Sequence, residues 1–376
     1  MGPAITLDIL PAGFGDCLLV SCPVPGGTWR MLVDTGPDET YPALRRRLLG
    51  LPRGADGHRH IDLFVVTHID HDHIGGAQLL LADTDLRLSF GDVWFNAPPR
   101  RRVRGVAEGE SLAKILGAPE TALPWNQAWG GDAVVTPAGQ GGVEVSADGY
   151  PKLTVLSPTP ERLEALWKVW AKELEKLRRK ERDKTEAERA PTRGALDLEA
   201  LARKRTALDR AVPNGSSIAI LLEHLGASVL LSGDAFADVL VPEIQALAAR
   251  RGYAPGAPLA IDVLKLSHHG SRANVTTDLV KSVDARHHVV STNNAYFKHP
   301  NGEALARVIT GSRQPVLWFN YDTPQNRQWA DPGLMQRYGY EVRYPAIGEP
   351  GNGEGVVITL AGTTTQNTRK PRSLRS

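Results

Sequence analysis

The sequence predicts a mixed α/β fold, and three observations carry that prediction. The first residues alternate as a strand meander, which starts an antiparallel or mixed sheet. Later apolar runs are short and unbroken, and turns and helical stretches follow them. At four places the residues just past such a run are histidine or aspartate: 67–76, Asp234, His268-His269 and His299.

A chain of 376 residues holds one large domain or two to three smaller ones. Hydrophobic content of 41% and charged content of 23% are ordinary for a globular chain with a sizeable core. The formal net charge is only +2, so affinity for a polyanion has to come from local patches. Cys17 and Cys22 lie too close for a disulfide framework, form no C-x-x-C, and lack a second pair for a zinc ribbon. They are read as reduced residues of an early strand pair. No apolar stretch is long enough to cross a bilayer and the N-terminus carries no leader pattern, so a cytoplasmic location is expected.

In chain order, Ile5 to Leu10 alternates as a first strand, Leu18 to Ser21 is a second, and Trp29 to Val33 a third that ends in Asp34-Thr35-Gly36. A helix is expected from Thr40 to Leu49, with Asp34 as one candidate cap. The apolar run Ile61 to Val66 reads as a buried strand. It leads into Thr67-His68-Ile69-Asp70-His71-Asp72-His73-Ile74-Gly75-Gly76, in which five of ten residues are histidine or aspartate. Groups packed this densely repel or stay unsatisfied without a partner, and a metal dication is the usual one. Gly75-Gly76 is expected to turn the backbone tightly into a helix at Ala77 to Leu81.

Asp92 to Asn96 reads as a strand. After Pro98-Pro99, the residues Arg100, Arg101, Arg102 and Arg104 make an extended basic loop. It either holds phosphates bidentately or is a solvated surface loop. Leu153 to Pro158 is a strand, and Thr159-Pro160 starts a helix with Leu163, Leu166, Trp170, Leu174 and Leu177 on one face. Pro191 to Gly194 breaks it, and Leu196 to Leu208 forms a second helix. Residues 159–211 thus read as a charged helical hairpin inserted between core strands. It is a solvated arm, or else a lid, a partner-docking arm or a self-association arm.

The core resumes with a hairpin, Ile218 to Leu222 and Ser228 to Leu231, which delivers Asp234 to a strand end. A helix from Ala237 to Arg250 precedes the strand Ile261 to Ser267, which ends in His268-His269-Gly270-Ser271. A helix from Val275 to Val283, a strand from His288 to Ser291, then His299-Pro300 follow, and Val316 to Phe319 and Val356 to Leu360 supply the last strands. Residues 1–362 form one domain on this reading, and the basic tail 363–376, without apolar periodicity, is read as disordered.

Taken together, His68-x-Asp70-x-Asp72-His73, Ser232-Gly233-Asp234, Leu266-Ser267-His268-His269-Gly270-Ser271 and Lys298-His299-Pro300 resemble the motifs of the metallo-β-lactamase superfamily. The version with aspartate at position 70 looks most like the hydrolase domain of the competence protein ComEC and its stand-alone soluble relatives. The G-x-G-D segment at Gly13 to Asp16 and the Asp34-Thr35-Gly36 triplet match the family's opening. The resemblance implies an αββα sandwich, with two sheets face to face, helices outside and metals at one edge. It implies that His68 and Asp70 hold one metal, Asp72 and His73 the second, and that Asp234 bridges them. One of His268 or His269 would complete the set, with His269 preferred as ligand and His268 placed behind it or in proton transfer. Asp34 would support the metal loop without binding metal. His299 would stabilise charge on the substrate, unless it is a structural histidine bonded to a backbone carbonyl.

Two departures from the superfamily pattern matter. Asp70 replaces a histidine, and the usual third histidine has no match, Asn214 and Ser217 falling in its region as candidate substrate contacts. Oxygen in place of nitrogen hardens the site and moves preference from zinc toward manganese or magnesium, without excluding zinc. Two dications suit phosphodiester hydrolysis, with Asp72 orienting water and the arginines steering a polyanion. The expected activity is a metal-dependent phosphodiesterase, a nuclease acting on DNA or RNA. The alternatives are a hydrolase of a small phosphodiester, lactone or thioester, or an interaction module whose hairpin recruits a partner.

Overall fold

A computed structural model describes residues 2–98, 108–118, 123–182, 196–296, 298–346 and 355–362. Its first five strands are β1 (Pro3–Ile9), β2 (Leu18–Val24), β3 (Gly27–Val33), β4 (Arg59–Val65) and β5 (Leu88–Trp94). There follow β6 (Val143–Val145), β7 (Lys152–Ser157), β8 (Ala219–His224), β9 (Ala227–Leu231), β10 (Leu259–Lys265), β11 (Val283–Val290), β12 (Val316–Phe319), β13 (Glu341–Arg343) and β14 (Val356–Ala361). Among the described residues they form two sheets, in the orders β14-β1-β2-β3-β4-β5 and β13-β12-β11-β10-β9-β8-β7-β6.

The unbroken apolar runs mark strands buried on both faces, as such runs do in sheets covered on each side. Ile5, Leu7, Val33 and Val65 of the first sheet meet Val155, Ile220, Val229 and Val263 of the second. On the outer face of the first sheet, Leu32 and Phe64 pack under Leu44, Leu48 and Leu80 from its helices. On the outer face of the second, Leu230 and Leu264 pack under Leu240, Ile244, Leu279 and Leu305. Three apolar layers between four structural ones make the αββα sandwich.

Strand direction places the site. β3, β4 and β5 run parallel, and so do β9, β10, β11 and β12. Parallel neighbours need crossover connections, here helices such as Tyr41–Leu49, Ala237–Arg250 and Gly302–Gly311. Their carboxyl ends therefore share an edge, where ligands of open α/β sheets bind. The two sheets join there: Thr67 O accepts from Ile218 N at 3.0 Å, and Gly13 O from Asn293 N at 2.8 Å.

Several details differ from the sequence-based expectations. The helix expected to Val283 stops at Ser282, and β11 starts at Val283 instead of His288. Val283 and Ala285 are buried while Asp284 and Arg286 are exposed, a period-2 pattern that parallel pairing with Leu259 and Ile261 stabilises. Gly75 and Gly76 keep right-handed backbone, φ −52° and −77°, so they make no special turn. Glycine is needed there for closeness: a Cβ on Gly75 would lie 2.7 Å from His71 O and 2.8 Å from Asp38 N.

The expected helical hairpin divides between two layers. Helix Pro160–Arg182 buries Leu163, Leu166 and Trp170 outside the first sheet, beside Leu112 and Leu116. The second helix is only Leu198–Arg203, and it buries Leu198 in the layer outside the second sheet. Beyond it, Lys204 to Arg210 runs without helical structure. The Arg100 to Arg104 loop and the 363–376 tail lie outside the described residues, as do the side chains of Leu174 and Leu177. Among the described residues no helix is long and apolar enough to cross a membrane.

Cys17 and Cys22 are both free thiols, and both are buried. Burial pushes Cys22 up to about 12, and burial followed by the charge of Asp34 raises Cys17 further from reactivity. Since the thiolate is the nucleophile, neither cysteine should be alkylated by iodoacetamide at pH 8 in the folded protein, and both should react in denaturant. Mass spectrometry of the intact chain reads this directly, and rapid labelling without denaturant would contradict the burial.

Candidate metal centre

The loops after β4, β9, β10 and β11 converge at the shared edge. The stretch after β4 is itself a short helix, His71–Ile74, whose tight winding puts Asp72 and His73 next to each other on the buried side. Asp234 follows β9, delivered by Ser232 and Gly233. Gly233 has φ +49°, and a Cβ there would sit 2.4 Å from Ser217 Oγ. Ser217 Oγ in turn accepts from Asp234 N at 3.0 Å. His268 and His269 follow β10 with φ 50° and 54°, two consecutive left-handed residues that are neither glycine nor asparagine.

Among the buried atoms here without a hydrogen-bond partner are His68 Nε2, His73 Nε2, His269 Nε2 and Asp234 Oδ1. They face one another and their neighbouring carboxylates. His73 Nε2 is 3.4 Å from Asp234 Oδ1, and His269 Nε2 is 3.3 Å from Asp72 Oδ2. His68 Nε2 lies 3.8 Å from Asp234 Oδ2 and 3.8 Å from Asp70 Oδ2. Buried polar atoms are almost always bonded, so a convergent group of unbonded ones marks a place for a ligand.

The opposite ring nitrogens are all engaged. His73 Nδ1 donates to Asp34 Oδ2 at 2.7 Å, and His269 Nδ1 to Ser291 O at 3.0 Å. Thr67 Oγ1 lies 3.0 Å from His68 Nδ1 and donates to Asp34 Oδ2 at 2.7 Å. Asp34, at φ 58°, also accepts from Thr67 N at 2.7 Å. It therefore ties the end of β3 to the metal loop. It does not cap the helix Tyr41–Leu49, whose first turn has no side-chain cap.

Charge argues the same way. Asp16, Asp34, Asp72 and Asp234 are buried together, and Lys265 is the buried ammonium beside them. Burial opposes ionisation of Asp234, yet His268, His73 and His269 hold its carboxyl well below the ordinary range. Burial, with His73 beside it, pushes His68 down to about 3, leaving a neutral ring with a lone pair to give. Buried carboxylates of this number need positive charge: against burial, Asp234 and Asp34 raise His73, and Asp16 and Asp234 raise His269, so their protons supply the charge that a divalent ion would bring. The residues fit a divalent centre, and the resemblance would place His68, Asp70 and Asp234 around one position and Asp72, His73, His269 and Asp234 around the other.

The remaining expected residues fall at different places. His299 stands beyond His268, ring centroids 4.9 Å apart, and 6.5 Å from His269. Burial, then the two neighbouring histidines, pushes it down to about 3. Asn214 turns to Asp209, donating to its Oδ2 at 2.7 Å. Asn214 and Ser217 thus each bond an aspartate at this edge, Asp209 and Asp234. His71 faces away, 3.2 Å from Asp38 Oδ1.

Sequence reasoning missed Asp16, Lys265 and Asp209. Asp16, His73, Asp234 and His269 offer atoms that all lie within 4.8 Å of one another. Asp16, however, sits on the Nδ1 side of His269, 3.3 Å away, and is ion-paired with Lys265. Burial alone would raise its carboxyl, but Lys265 and then His269 hold it below the ordinary carboxylate range. It braces the ring from behind instead of facing the open nitrogens. A signal existed for two of these: Asp16 ends the G-x-G-D segment, and Lys265 is a lone charge in a buried strand. Asp209, in a polar stretch, carried none.

Two substitutions test the frame. A Cβ on Gly15 would lie 1.8 Å from Asp72 O, so Gly15→Ala should displace the metal loop, destabilise the fold by about 3 kcal/mol and weaken ion binding. A melting curve and a metal titration check it. Asp34→Asn removes the charged acceptor behind His73, and ion affinity should fall roughly 10–100-fold with the sheets intact by circular dichroism.

No curated protein matches the chain. Among solved structures, it is similar to the metallo-beta-lactamase fold protein YhfI from Bacillus subtilis, with 12% identity, 95% of this chain and 99% of that one covered, and a TM-score of 0.42. It is also similar to CmlA, a diiron beta-hydroxylase from Streptomyces venezuelae, at 13% identity over 96% and 55% of the two chains and a TM-score of 0.42. A metallo-beta-lactamase from Cronobacter sakazakii matches at 17% identity over 69% and 76%, with a TM-score of 0.29. Residues 10–145, which contain Asp16, Asp34 and the whole His68 to His73 run, match the model of the Metallo-beta-lactamase superfamily.

Proposed function

We propose that the chain is a metal-dependent phosphodiesterase, a nuclease of DNA or RNA akin to the competence-type hydrolases. The observation that carries the reading is the set of buried, unbonded donors: His68 Nε2, His73 Nε2, His269 Nε2 and Asp234 Oδ1. Two divalent ions held by them, with Asp70 and Asp72, would supply an activated water and charge stabilisation of both the attacking and leaving oxygens. Carboxylates at Asp70 and Asp72 make the donor set hard, which favours Mn²⁺ or Mg²⁺ beside Zn²⁺.

The protein's own part is position and electrostatics. Asp72 orients the attacking water from its place beside His269. His299, a neutral imidazole with its ring 4.9 Å from that of His268, would donate to a phosphate oxygen or leaving group. The arginines Arg100, Arg101, Arg102 and Arg104 would steer the polyanion, and a cytoplasmic setting would put nucleic acid within reach. A small phosphodiester, lactone or thioester is the second reading, favoured by how deeply the donors are buried.

The test is cleavage of labelled single-stranded DNA, duplex DNA and RNA with Mn²⁺, Mg²⁺ or Zn²⁺, beside Asp72→Ala. Polymer cleavage by the wild type should drop at least about 100-fold in the variant. Turnover of bis-p-nitrophenyl phosphate without polymer cleavage would instead assign a small phosphodiester. Silence on every phosphodiester with ions bound would overturn the reading.

A further inference from the structure

We propose that His268 is a nitrogen ligand of the metal position shared by His68, Asp70 and Asp234, in place of the missing third histidine, and that Asp209 is its positioning residue. The inference rests on the dinuclear reading above and deepens it. The two adjacent histidines then serve different ions, whereas the sequence suggested one ligand and one accessory group.

The geometry separates them. The two rings are 5.9 Å apart and inclined at 76°. His269 Nε2 points to Asp72 Oδ2 at 3.3 Å and Asp234 Oδ1 at 3.9 Å. His268 Nε2 instead points to the other carboxylate oxygen, Asp234 Oδ2, at 3.7 Å, and His68 Nε2 reaches that same oxygen at 3.8 Å. Ligand atoms each roughly 2.0–2.2 Å from one ion stand about 3–4 Å from each other. The consecutive left-handed backbone at His268 and His269 is what lets neighbours diverge in this way, and such costly conformations persist where a site needs them.

The back of the ring is built like that of the other ligands. His268 Nδ1 lies 3.2 Å from Asp209 Oδ2 and 3.1 Å from Asn274 Oδ1, as His73 Nδ1 lies 2.7 Å from Asp34. Asp209 Oδ2 also accepts from Asn214 Nδ2 at 2.7 Å and Asn274 Nδ2 at 3.1 Å. A ligating imidazole whose other nitrogen donates to a carboxylate is the usual arrangement of a metal-binding histidine. Asn214, where a third histidine is absent, thus holds the carboxylate that aims His268.

Asp209 belongs to the stretch beyond helix Leu198–Arg203, and that stretch is anchored. Buried Arg307 donates to Lys204 O and Thr206 Oγ1, both at 2.9 Å, and Thr206 Oγ1 donates to Arg272 O at 2.8 Å. The inserted segment therefore supplies a part of the centre.

The experiment is titration of metal-free protein with Mn²⁺ by calorimetry, with bound metal counted by elemental analysis, for the wild type, His268→Ala and Asp209→Asn. The wild type should bind two ions per chain. At free Mn²⁺ that saturates it, His268→Ala should hold one, and Asp209→Asn should show one site weakened roughly 10–100-fold with the other unchanged. Circular dichroism of each variant checks the fold, and if His268→Ala does not fold, Asp209→Asn alone decides. Two sites of wild-type affinity in the folded variants would overturn the proposal, and a loss of turnover alongside would put His268 on the substrate. A wild type that binds no ion would overturn the dinuclear reading itself.

Discussion

The gathering of carboxylates inside the protein is the constraint on which the rest depends. Asp16, Asp34, Asp72 and Asp234 are each almost wholly buried. Burying a charge is costly unless it is paired and hydrogen-bonded. Each carboxylate has a different answer. Asp16 takes Lys265, Asp34 takes three donors from Thr67 and His73, and Asp72 and Asp234 face open imidazole nitrogens. Only the last two are left for a ligand, which is why the centre is specific about where positive charge has to go.

That arrangement needs backbones to come closer than side chains permit, and the glycines follow from it. Asp16 N donates to Asp72 O at 3.1 Å, so the loop after β1 lies directly on the metal helix, with Gly15 at the contact. Gly233 lets Asp234 approach Ser217, and Gly75 lets the helix His71–Ile74 lie against Asp38. The loops of the site thus pack on one another, Asp16 N on Asp72 O and His268 N on Gly233 O. Parallel strands make this feasible, because their carboxyl ends open on one edge.

The inserted region takes its place in the same logic. Its first helix covers Leu112 and Leu116 outside one sheet, and its second covers the outside of the other. The chain between Arg203 and Val212 then passes the metal edge, where Asp209 enters the network of Asn214, Asn274 and His268. A segment that the sequence leaves as a solvated arm, a lid or a docking arm reaches this network through one carboxylate.

Much of this was legible in the residues themselves. Unbroken apolar runs located most of the strands, because strands buried on both faces have no polar side to interrupt them. The dense His and Asp of 67–76, and the histidines and aspartate at three other strand ends, located the centre, because such groups are seldom placed together without a ligand. The sequence by itself determined which strand ends carry the donors. It did not decide which nitrogen of which ring faces inward, that His71 turns out to Asp38, or that Asp16 and Asp209 stand behind His269 and His268. Those depend on φ at His268 and His269 and on contacts between residues far apart in the chain, as when Asp16 meets Lys265. Local pattern reports whether a side chain is polar and where the strand stops. Only packing of the two sheets decides what that side chain meets, since each partner arrives from a different loop.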